Sequence, residues 1–352
     1  MFSSVFKKIA VLSAASSLAL LAACGSSQEQ AGPAAVTLLT HDSFVVSEAL
    51  VAQLKKETGI TLKITTAGDA GAMLAGAVLA AGSPSADVMF GVDNTLLAKA
   101  TNADVFSAYT SKNLDLVSPA LKTDTGNGVV TPIDYGDVCI NIDDAWFRKR
   151  NVAVPTSIDQ LTQPAYKDLL VVQDPATSSP GLAFMLATQA KFGDQWLSYW
   201  KQLEANGVQV SGSWTDAYES AFSASGGTRP LVVSYATSPP AEIVYAANPK
   251  PKKPSTSVLT DGCYRQIEFA GVLRGTQNEG AAQQVVDWLL SPAVQADLPL
   301  SMFVFPARAN TPLPEVFTKF ATKVPNPLQL PATVVDANLK TWLNQWDEVM
   351  NR

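Results

Sequence analysis

Strand-like and helix-like segments alternate along almost the whole chain, and this alternation constrains the fold more than any other feature. Short apolar or β-branched runs are each followed by a segment of helical spacing, and the same order returns after Pro132. Strands that alternate with helices form parallel sheets covered by helices. The sequence therefore predicts an α/β fold in two halves, without an internal sequence repeat. The predicted strands are 36–40, 61–66, 87–92, 169–173, 230–235 and 266–273.

The first 23 residues have the pattern of an export signal. Lys7 and Lys8 precede an uncharged apolar run that ends at Ala23, which is shorter than the roughly 20 apolar residues of a spanning helix. Leu21-Ala22-Ala23-Cys24-Gly25 resembles the lipobox of bacterial lipoproteins, in which the chain is cut before the cysteine and its sulfur is acylated. We therefore expect a lipid on Cys24 and a flexible tether over residues 24–35. A chance cysteine at an ordinary cleavage site is the alternative.

Composition narrows the class of protein further. The chain that would remain after cleavage is long for one compact core and suits two lobes. Loss of Lys7 and Lys8 leaves 23 basic against 31 acidic side chains, a net charge of −8. An acidic chain without a basic block argues against nucleic acid as a partner.

Two cysteines remain once Cys24 is assigned to the lipid. Cys139 and Cys263 each lie in a strand-like run. Export permits a disulfide between them, which would stabilise the fold by about 4–5 kcal/mol in the chain-entropy model. Two buried thiols are the alternative, and the role is structural in either case.

Catalytic machinery is hard to find in this sequence. The chain has a single histidine, His41, and it lacks a nucleophile elbow, a Walker motif, a Cys-x-x-Cys pair and a dinucleotide fingerprint. Ser198-Tyr199-Trp200-Lys201 fits a Ser-x-x-Lys pattern, but its companion motifs are missing and it lies in a predicted aromatic core helix. We expect no catalysed reaction, no cofactor and no metal.

Two strand-to-helix turns have the features of anion sites. Ser178 or Ser179, followed by Pro180, is a natural start for a helix, and Asp69 precedes a similar start at Ala70. Helix starts present free N–H groups and a partial positive charge, which favour an anion. Simple helix capping is the alternative at both turns.

A third turn combines hydroxyl groups with aromatic rings. The run Tyr235-Ala236-Thr237-Ser238 leaves a predicted strand, and Trp214 lies beside a glycine just ahead of a helix. Core packing of Trp214 is the alternative to exposure in a cleft. Aromatic faces beside hydroxyl groups and helix starts suit a ligand with a cationic ring and an anionic tail.

Six short stretches in a fixed order carry a family resemblance. They are 40–44, 86–94, 132–136, 173–182, 213–218 and 234–239. From Val36 to Arg352 the chain thereby resembles the thiamine-binding solute receptors of ATP-driven importers, a branch of the periplasmic binding proteins. The resemblance implies a two-lobed type II fold, in which each lobe is a mainly parallel sheet flanked by helices and the lobes close about a hinge.

The resemblance also implies a division of the chain. We expect a signal peptide over 1–23, the lipidated tether over 24–35, and a first lobe made of 36–132 with 267–312. A second lobe would cover 133–266, and 313–352 would be a helical segment packed on the lobes.

The family's ligand site can be carried over residue by residue. In the family the phosphate tail of thiamine is held by residues that match Asp69, Ala70, Ser178 and Ser179. The rings would lie against Trp214, Tyr235 and Phe303, with Asp42 facing the cation, and the run 235–238 also lines the site. The family typically has a tyrosine at His41, a tryptophan near Phe303 and a tyrosine near Ala241. The ring half of the pocket is therefore altered, and the phosphate half is retained.

The expected function is capture of thiamine or its phosphates outside the cytoplasm. The predicted partner is the permease of an ABC importer, and the predicted form is a monomeric lipoprotein held at the membrane only by its lipid, in a periplasm or on the outer face of the cytoplasmic membrane. Alternatives within the class are ferric ion, a polyamine or another small solute. An exported hydrolase that uses Ser198 or another hydroxyl is the alternative outside it.

Overall fold

A mixed nine-stranded sheet runs through the described part of this computed structural model, residues 34–122, 126 and 128–351. Its order is β2-β1-β3-β8-β4-β7-β5-β6, with β9 paired to β4. The strands are β1 (Ala35–Thr40), β2 (Thr61–Thr66), β3 (Val88–Asp93), β4 (Thr131–Asp143), β5 (Leu170–Gln173), β6 (Gln209–Ser211), β7 (Leu231–Tyr235), β8 (Thr256–Val272) and β9 (Phe305–Pro306). The predicted export signal and Cys24 lie outside the described residues.

Helices cover this sheet, as the alternation predicts. They are α1 (Glu48–Thr58), α2 (Ala70–Leu79), α3 (Leu97–Asn102), α4 (Asp144–Arg150), α5 (Ser179–Phe192), α6 (Trp196–Ala205), α7 (Pro240–Val244), α8 (Glu279–Leu289), α9 (Pro292–Ser301), α10 (Glu315–Phe320) and α11 (Ala332–Val349). Among these described helices, none combines the length and the apolar character that crossing a bilayer requires.

Two groups of parallel strands give the fold its two lobes. β1 pairs in parallel with β2 and β3, and β5 pairs in parallel with β6 and β7. The long antiparallel strands β4 and β8 join the two groups. The α/β fold predicted from the alternation is confirmed, and the predicted lobe boundaries at 132 and 266 fall inside β4 and β8. Those boundaries stay predictions.

β4 and β8 are longer than the strand patterns indicated. The strand-like run around Cys263 and the predicted strand at 266–273 together captured β8 from residue 262 onward, whereas β8 begins at Thr256. Both strands are interrupted by register shifts, between Pro132 and Asp134 and between Val138 and Ile140. A register shift breaks the period-2 alternation that identifies a strand, so each strand reads in the sequence as shorter pieces.

The C-terminal helix α11 packs against both lobes, through α3 on one side and α6 on the other. Its predicted apolar stripe faces inward, with Trp342 and Trp346 buried and Leu339 partly buried. The ring of Trp346 meets Trp200 edge to face at 5.4 Å between centroids.

Cys139 of β4 and Cys263 of β8 are joined by a disulfide, the pairing that the sequence suggested. The bond is buried in a small cluster with Ala236 and Val324. It crosslinks the two strands that connect the lobes.

Candidate ligand-binding site

A cavity of about 380 Å³ lies among the loops that follow β1, β6 and β7. Parallel strands bring their carboxyl ends to one edge of the sheet, where ligands of α/β proteins commonly bind. Further wall segments come from β8, α7 and the connection between α9 and β9. The lining residues are His41, Asp42, Ser43, Val45, Trp214, Thr215, Tyr218, Glu219, Ser225, Tyr235, Ser238, Ala241, Tyr245, Glu268, Ser301, Met302, Phe303 and Val304.

Two aromatic pairs form part of the cavity wall. Trp214 stacks on Tyr218 with ring centroids 4.9 Å apart, and its indole N–H donates to the hydroxyl of Ser234 at 2.9 Å. Tyr245 meets Phe303 edge to face at 5.5 Å. The backbone of Phe303 has a φ of 54°, a left-handed conformation that costs an aromatic residue roughly 1–2 kcal/mol. Strain of this kind is held in place at sites that have a function.

The charges on the wall favour a cation. Asp42, Glu219 and Glu268 place three carboxylates at the cavity, and among its described lining residues His41 is the only side chain that can carry a positive charge. Burial and the charge of Asp69 raise the pKa of Asp42 above its ordinary value, although His41 opposes this rise.

His41 contacts both a carboxylate and a hydroxyl group of the cavity wall. Its Nε2 lies 3.3 Å from Oε1 of Glu268, and its Nδ1 lies 2.9 Å from the hydroxyl of Ser43. Burial alone would lower the pKa of His41, but the contact with Glu268 and the charges of Glu268, Asp69 and Asp42 raise it above its ordinary value. The carboxylates around it therefore favour the protonated imidazole.

The two predicted anion sites meet beside the cavity. Asp69 caps α2 through Oδ1, which accepts from the Ala70 N–H at 2.6 Å, and its Oδ2 accepts from the Trp214 N–H at 2.9 Å. Ser178 is the N-cap of α5, and its buried hydroxyl has no hydrogen-bond partner among the described residues. The two helix starts touch, because the Ala72 N–H donates to the carbonyl of Thr177 at 3.0 Å.

The structure divides the predicted site residues into two sets. Asp42, Trp214, Tyr235, Ser238 and Phe303 line the cavity. The others are buried and do not line the cavity; four of them belong to the two helix starts that touch, and the other two follow β7. This second set is Asp69, Ala70, Ser178, Ser179, Ala236 and Thr237.

Several lining residues escaped the sequence reasoning. Ala241 was expected to remove an aromatic ring from the site, but Tyr245, one helical turn later, supplies one. The four-residue spacing was the signal that could have found it. Glu268 gave a weaker signal, as the one acid in the predicted strand 266–273.

Comparisons with known proteins agree with this architecture. Residues 83–327 match the family described as bacterial extracellular solute-binding protein. The thiamine-binding periplasmic protein of Salmonella typhimurium is 28% identical over 323 residues, which cover 90% of this chain and 94% of that protein.

Solved structures show the same fold. A periplasmic thiamin binding protein superposes with a TM-score of 0.80 at 26% identity, over 90% of this chain and 96% of that one. A ferric binding protein from Campylobacter jejuni has a TM-score of 0.71 at 19% identity, over 89% and 99% of the two chains, which shows the fold alone. The family match spans well over half of the residues, and the chain therefore belongs to the bacterial extracellular solute-binding proteins.

Proposed function

We propose that the protein captures thiamine or a thiamine phosphate outside the cytoplasm and delivers it to the permease of an ABC importer, without catalysing a reaction. One observation carries the proposal. The cavity combines two aromatic pairs with three carboxylates and has no lysine or arginine among its described lining residues. Similarity to thiamine-binding proteins over most of the chain supports the same ligand.

The aromatic pairs suit the thiazolium ring, which carries a fixed positive charge. A cation over an aromatic face gains about 0.5–2 kcal/mol, and more when water is excluded. We propose that Trp214, Tyr235 and Phe303 contact the rings, while Asp42 faces the cation.

A phosphate tail would extend toward the paired helix starts. We propose that it is held by Asp69, Ala70, Ser178 and Ser179, with the run Ala236-Thr237-Ser238 beside it. The unpartnered hydroxyl of Ser178 and the amide groups at the start of α5 support this assignment. The tail would have to part the contact between Ala72 and Thr177, so the phosphate-bound form is expected to be less tightly closed.

Calorimetric titration of residues 24–352 with thiamine, thiamine monophosphate and thiamine diphosphate tests the proposal. We expect a dissociation constant below about 1 μM for at least one of them, equivalent to roughly −8 kcal/mol. The control ligand is 4-methyl-5-thiazoleethanol, a neutral fragment that lacks the fixed charge and should bind far more weakly. Absence of binding by all three thiamine compounds would reject the proposal.

The three carboxylates also favour a second candidate, a polyamine. Asp42, Glu219 and Glu268 all line the cavity, and several carboxylates facing a cleft are what a polyamine requires. Spermidine in the same titration separates the two ligands, because it carries the charge without an aromatic ring. Tighter binding of spermidine than of thiamine would decide for the polyamine.

A hydrolase has one observation in its favour. Ser43, His41 and Glu268 are connected in the order of a catalytic triad. Ser198, the hydroxyl first considered, is exposed on α6 and only accepts from Gln202. In the free protein the contact with Glu268 raises the pKa of His41 and so favours the protonated ring, which cannot accept the proton of Ser43; this argues against the function. Turnover of thiamine monophosphate or of nitrophenyl esters, abolished by Ser43→Ala, would establish it.

The attachment to the membrane is also part of the proposal. We propose that export removes residues 1–23 and that a lipid on Cys24 anchors an otherwise water-exposed monomer. Mass spectrometry of the protein from cell membranes should find the acylated cysteine as the first residue. Cys24→Ser should release the protein from the membrane fraction, and recovery of the unacylated wild-type chain from the membrane would contradict the anchor.

A further inference from the structure

Three carboxyl groups lie side by side beneath the cavity, on three neighbouring strands. Asp93 of β3 is opposite Glu268 of β8, and Asp134 of β4 is opposite Glu268 on the other side. Residues that are directly opposite on neighbouring strands point to the same face of the sheet, so the three form a row. Asp93 and Asp134 are fully buried, and only Glu268 reaches the cavity.

Such a row cannot be fully ionised, because neighbouring buried carboxylates repel each other. Burial, together with the charge and closeness of Glu268, raises the pKa of Asp134 well above its ordinary value. Within the described residues neither oxygen of Asp134 has a hydrogen-bond partner of ordinary geometry. Burial likewise raises the pKa of Asp93 to about 7, although Thr95 and Gln266 donate to its carboxylate.

Glu268 is the member of the row whose ionised form its surroundings favour. Burial opposes this, but the contact with His41 and the charge of His41 lower the pKa of Glu268 below its ordinary value. The contact therefore favours an imidazolium beside a carboxylate, both buried, with Nε2 of His41 3.3 Å from Oε1 of Glu268. Two further acids act on His41. They are Asp42, which follows it in the loop after β1, and Asp69 at the start of α2. Tyr235 of β7 also faces the row and stays neutral.

A ligand cation at Glu268 would take over the role of the imidazolium. The cavity wall offers no second cation for Glu268 among its described residues, so the ligand and the charged His41 compete for the same carboxylate. Two positive charges at one buried carboxylate repel each other, and His41 can relieve the repulsion by losing its proton. The net charge of the site then stays the same when the ligand enters.

We infer that Glu268 is the residue through which the cavity recognises the positive charge of a ligand, and that His41 releases its proton to solvent when that cation binds. The inference rests on the proposed function. It adds which residue recognises the cation and which proton is released when the cation binds. Binding should therefore strengthen as pH rises through the titration of His41, by up to about tenfold per pH unit.

The single histidine makes the proton transfer directly visible. Nitrogen-15 labelling of histidine gives NMR signals from one imidazole ring, whose shifts separate the charged from the neutral form. At about pH 6.5, near the ordinary pKa of histidine, thiamine should move the ring toward its neutral form. Calorimetry in two buffers of different ionisation enthalpy should count the released protons as a fraction of one per ligand.

Matched variants assign the effect to Glu268. Glu268→Gln should weaken thiamine binding at least tenfold and abolish proton release. Glu219→Gln removes a carboxylate from the same cavity but not from the row, so it should weaken binding while proton release persists. Asp134→Asn fixes the neutral form of that side chain and should also leave proton release in place.

Circular dichroism checks that Glu268→Gln is folded. If it is not, His41→Asn takes its place in the experiment. His41→Asn should bind thiamine with no proton release and with little pH dependence. Binding of thiamine without proton release by the wild type would overturn the inference and leave the proposed function standing. If thiamine does not bind, the proposed function fails and the same titrations with spermidine decide the inference. If neither cation binds, both fall.

Discussion

Trp214 illustrates how one residue is oriented for a ligand. Its indole N–H donates to Ser234, its backbone N–H donates to Asp69, and one face of its ring stacks on Tyr218. Every polar group that could direct the side chain elsewhere is therefore already bonded. Held in this orientation, Trp214 lines the cavity.

Replacement of Trp214 tests the contribution of that face. Trp214→Ala should weaken thiamine binding about 10- to 30-fold, because one cation–π contact contributes up to about 2 kcal/mol when desolvated. Trp214→Phe keeps a ring but loses the bond to Ser234, so its loss should be smaller. Calorimetry measures both, and an alanine variant within twofold of the wild type would show that the ring does not contact the ligand.

Residues of the site could be predicted from the sequence where their near neighbours in the chain form a recognisable pattern. Trp214 follows a glycine ahead of a helix, and Tyr235 ends a strand just before a hydroxyl-rich turn; both patterns are visible in the sequence. Glu268 could not be found in this way, because its place depends on the register of β8 against β3 and β4. Register across three strands is set by tertiary packing, so a single sequence does not contain a short-range signal for it.

At the scale of elements, the start of α2 is fitted closely against the segment before α5. A Cβ atom on Gly71 would lie 2.7 Å from the carbonyl oxygen of Ala176 and 2.7 Å from the carbonyl carbon of Thr177. Glycine is therefore required here by the approach of two backbones, because real Cβ atoms do not come so near. The contact joins the two helix starts that were predicted to hold an anion.

Gly71→Ala should separate these helix starts. We expect a loss of about 1–3 kcal/mol in the free energy of unfolding, typical of overpacking, together with weaker binding of thiamine monophosphate. Gly76→Ala is the matched control on the same helix, since its Cβ would meet nothing within 4 Å. That control should be neutral or stabilising by up to about 1 kcal/mol. Equal effects of the two substitutions in urea unfolding would contradict the close fit.

Removal of the disulfide should cost the fold several kcal/mol. The bond spans 124 residues of sequence, and closure of so long a loop corresponds to about 4–5 kcal/mol in the chain-entropy model. The variant with Cys139→Ala and Cys263→Ala should lose this amount in urea unfolding. Dithiothreitol should reproduce the loss in the wild type and have no effect on the double variant. Unchanged stability would show that the crosslink constrains little.

Strands whose apolar pattern is continuous could be predicted from the sequence, and strands whose pattern is broken by a register shift could be predicted only in part. β1, β3 and β7 are short buried runs bounded by turn residues, and each was located within one or two positions. β4 and β8 contain register shifts and glycines that divide their pattern. Their full length follows from pairing with each other, which is a long-range property.

For the whole molecule, stability is tied to pH through buried acids that are not matched by buried bases. Asp93 is the clearest case, because burial raises its pKa to about 7. The folded protein holds this proton more tightly than the unfolded chain does. Asp93 therefore favours the folded state in acid, and its contribution is lost as pH rises toward 7.

Asp93→Asn should flatten this dependence. Between about pH 4 and pH 7 the wild type should lose about 3 kcal/mol relative to the variant, because the unfolded carboxyl ionises while the folded one does not. Asparagine retains an oxygen for the N–H groups of Thr95 and Leu96, so the local turn is preserved. Urea unfolding of both proteins across this range measures the difference, and parallel curves would contradict the assignment.

The crosslink between Cys139 and Cys263 restricts how the two lobes can move relative to each other. A covalent bond between β4 and β8 pins their register, so neither strand can slide along the other. Relative motion by shear is thereby excluded at this ladder, and bending is the movement that remains. The shift between Val138 and Ile140 flanks Cys139, so the crosslink lies where the ladder of the two strands is already interrupted. If the lobes separate for ligand entry, β4 and β8 would then have to bend together as one crosslinked pair.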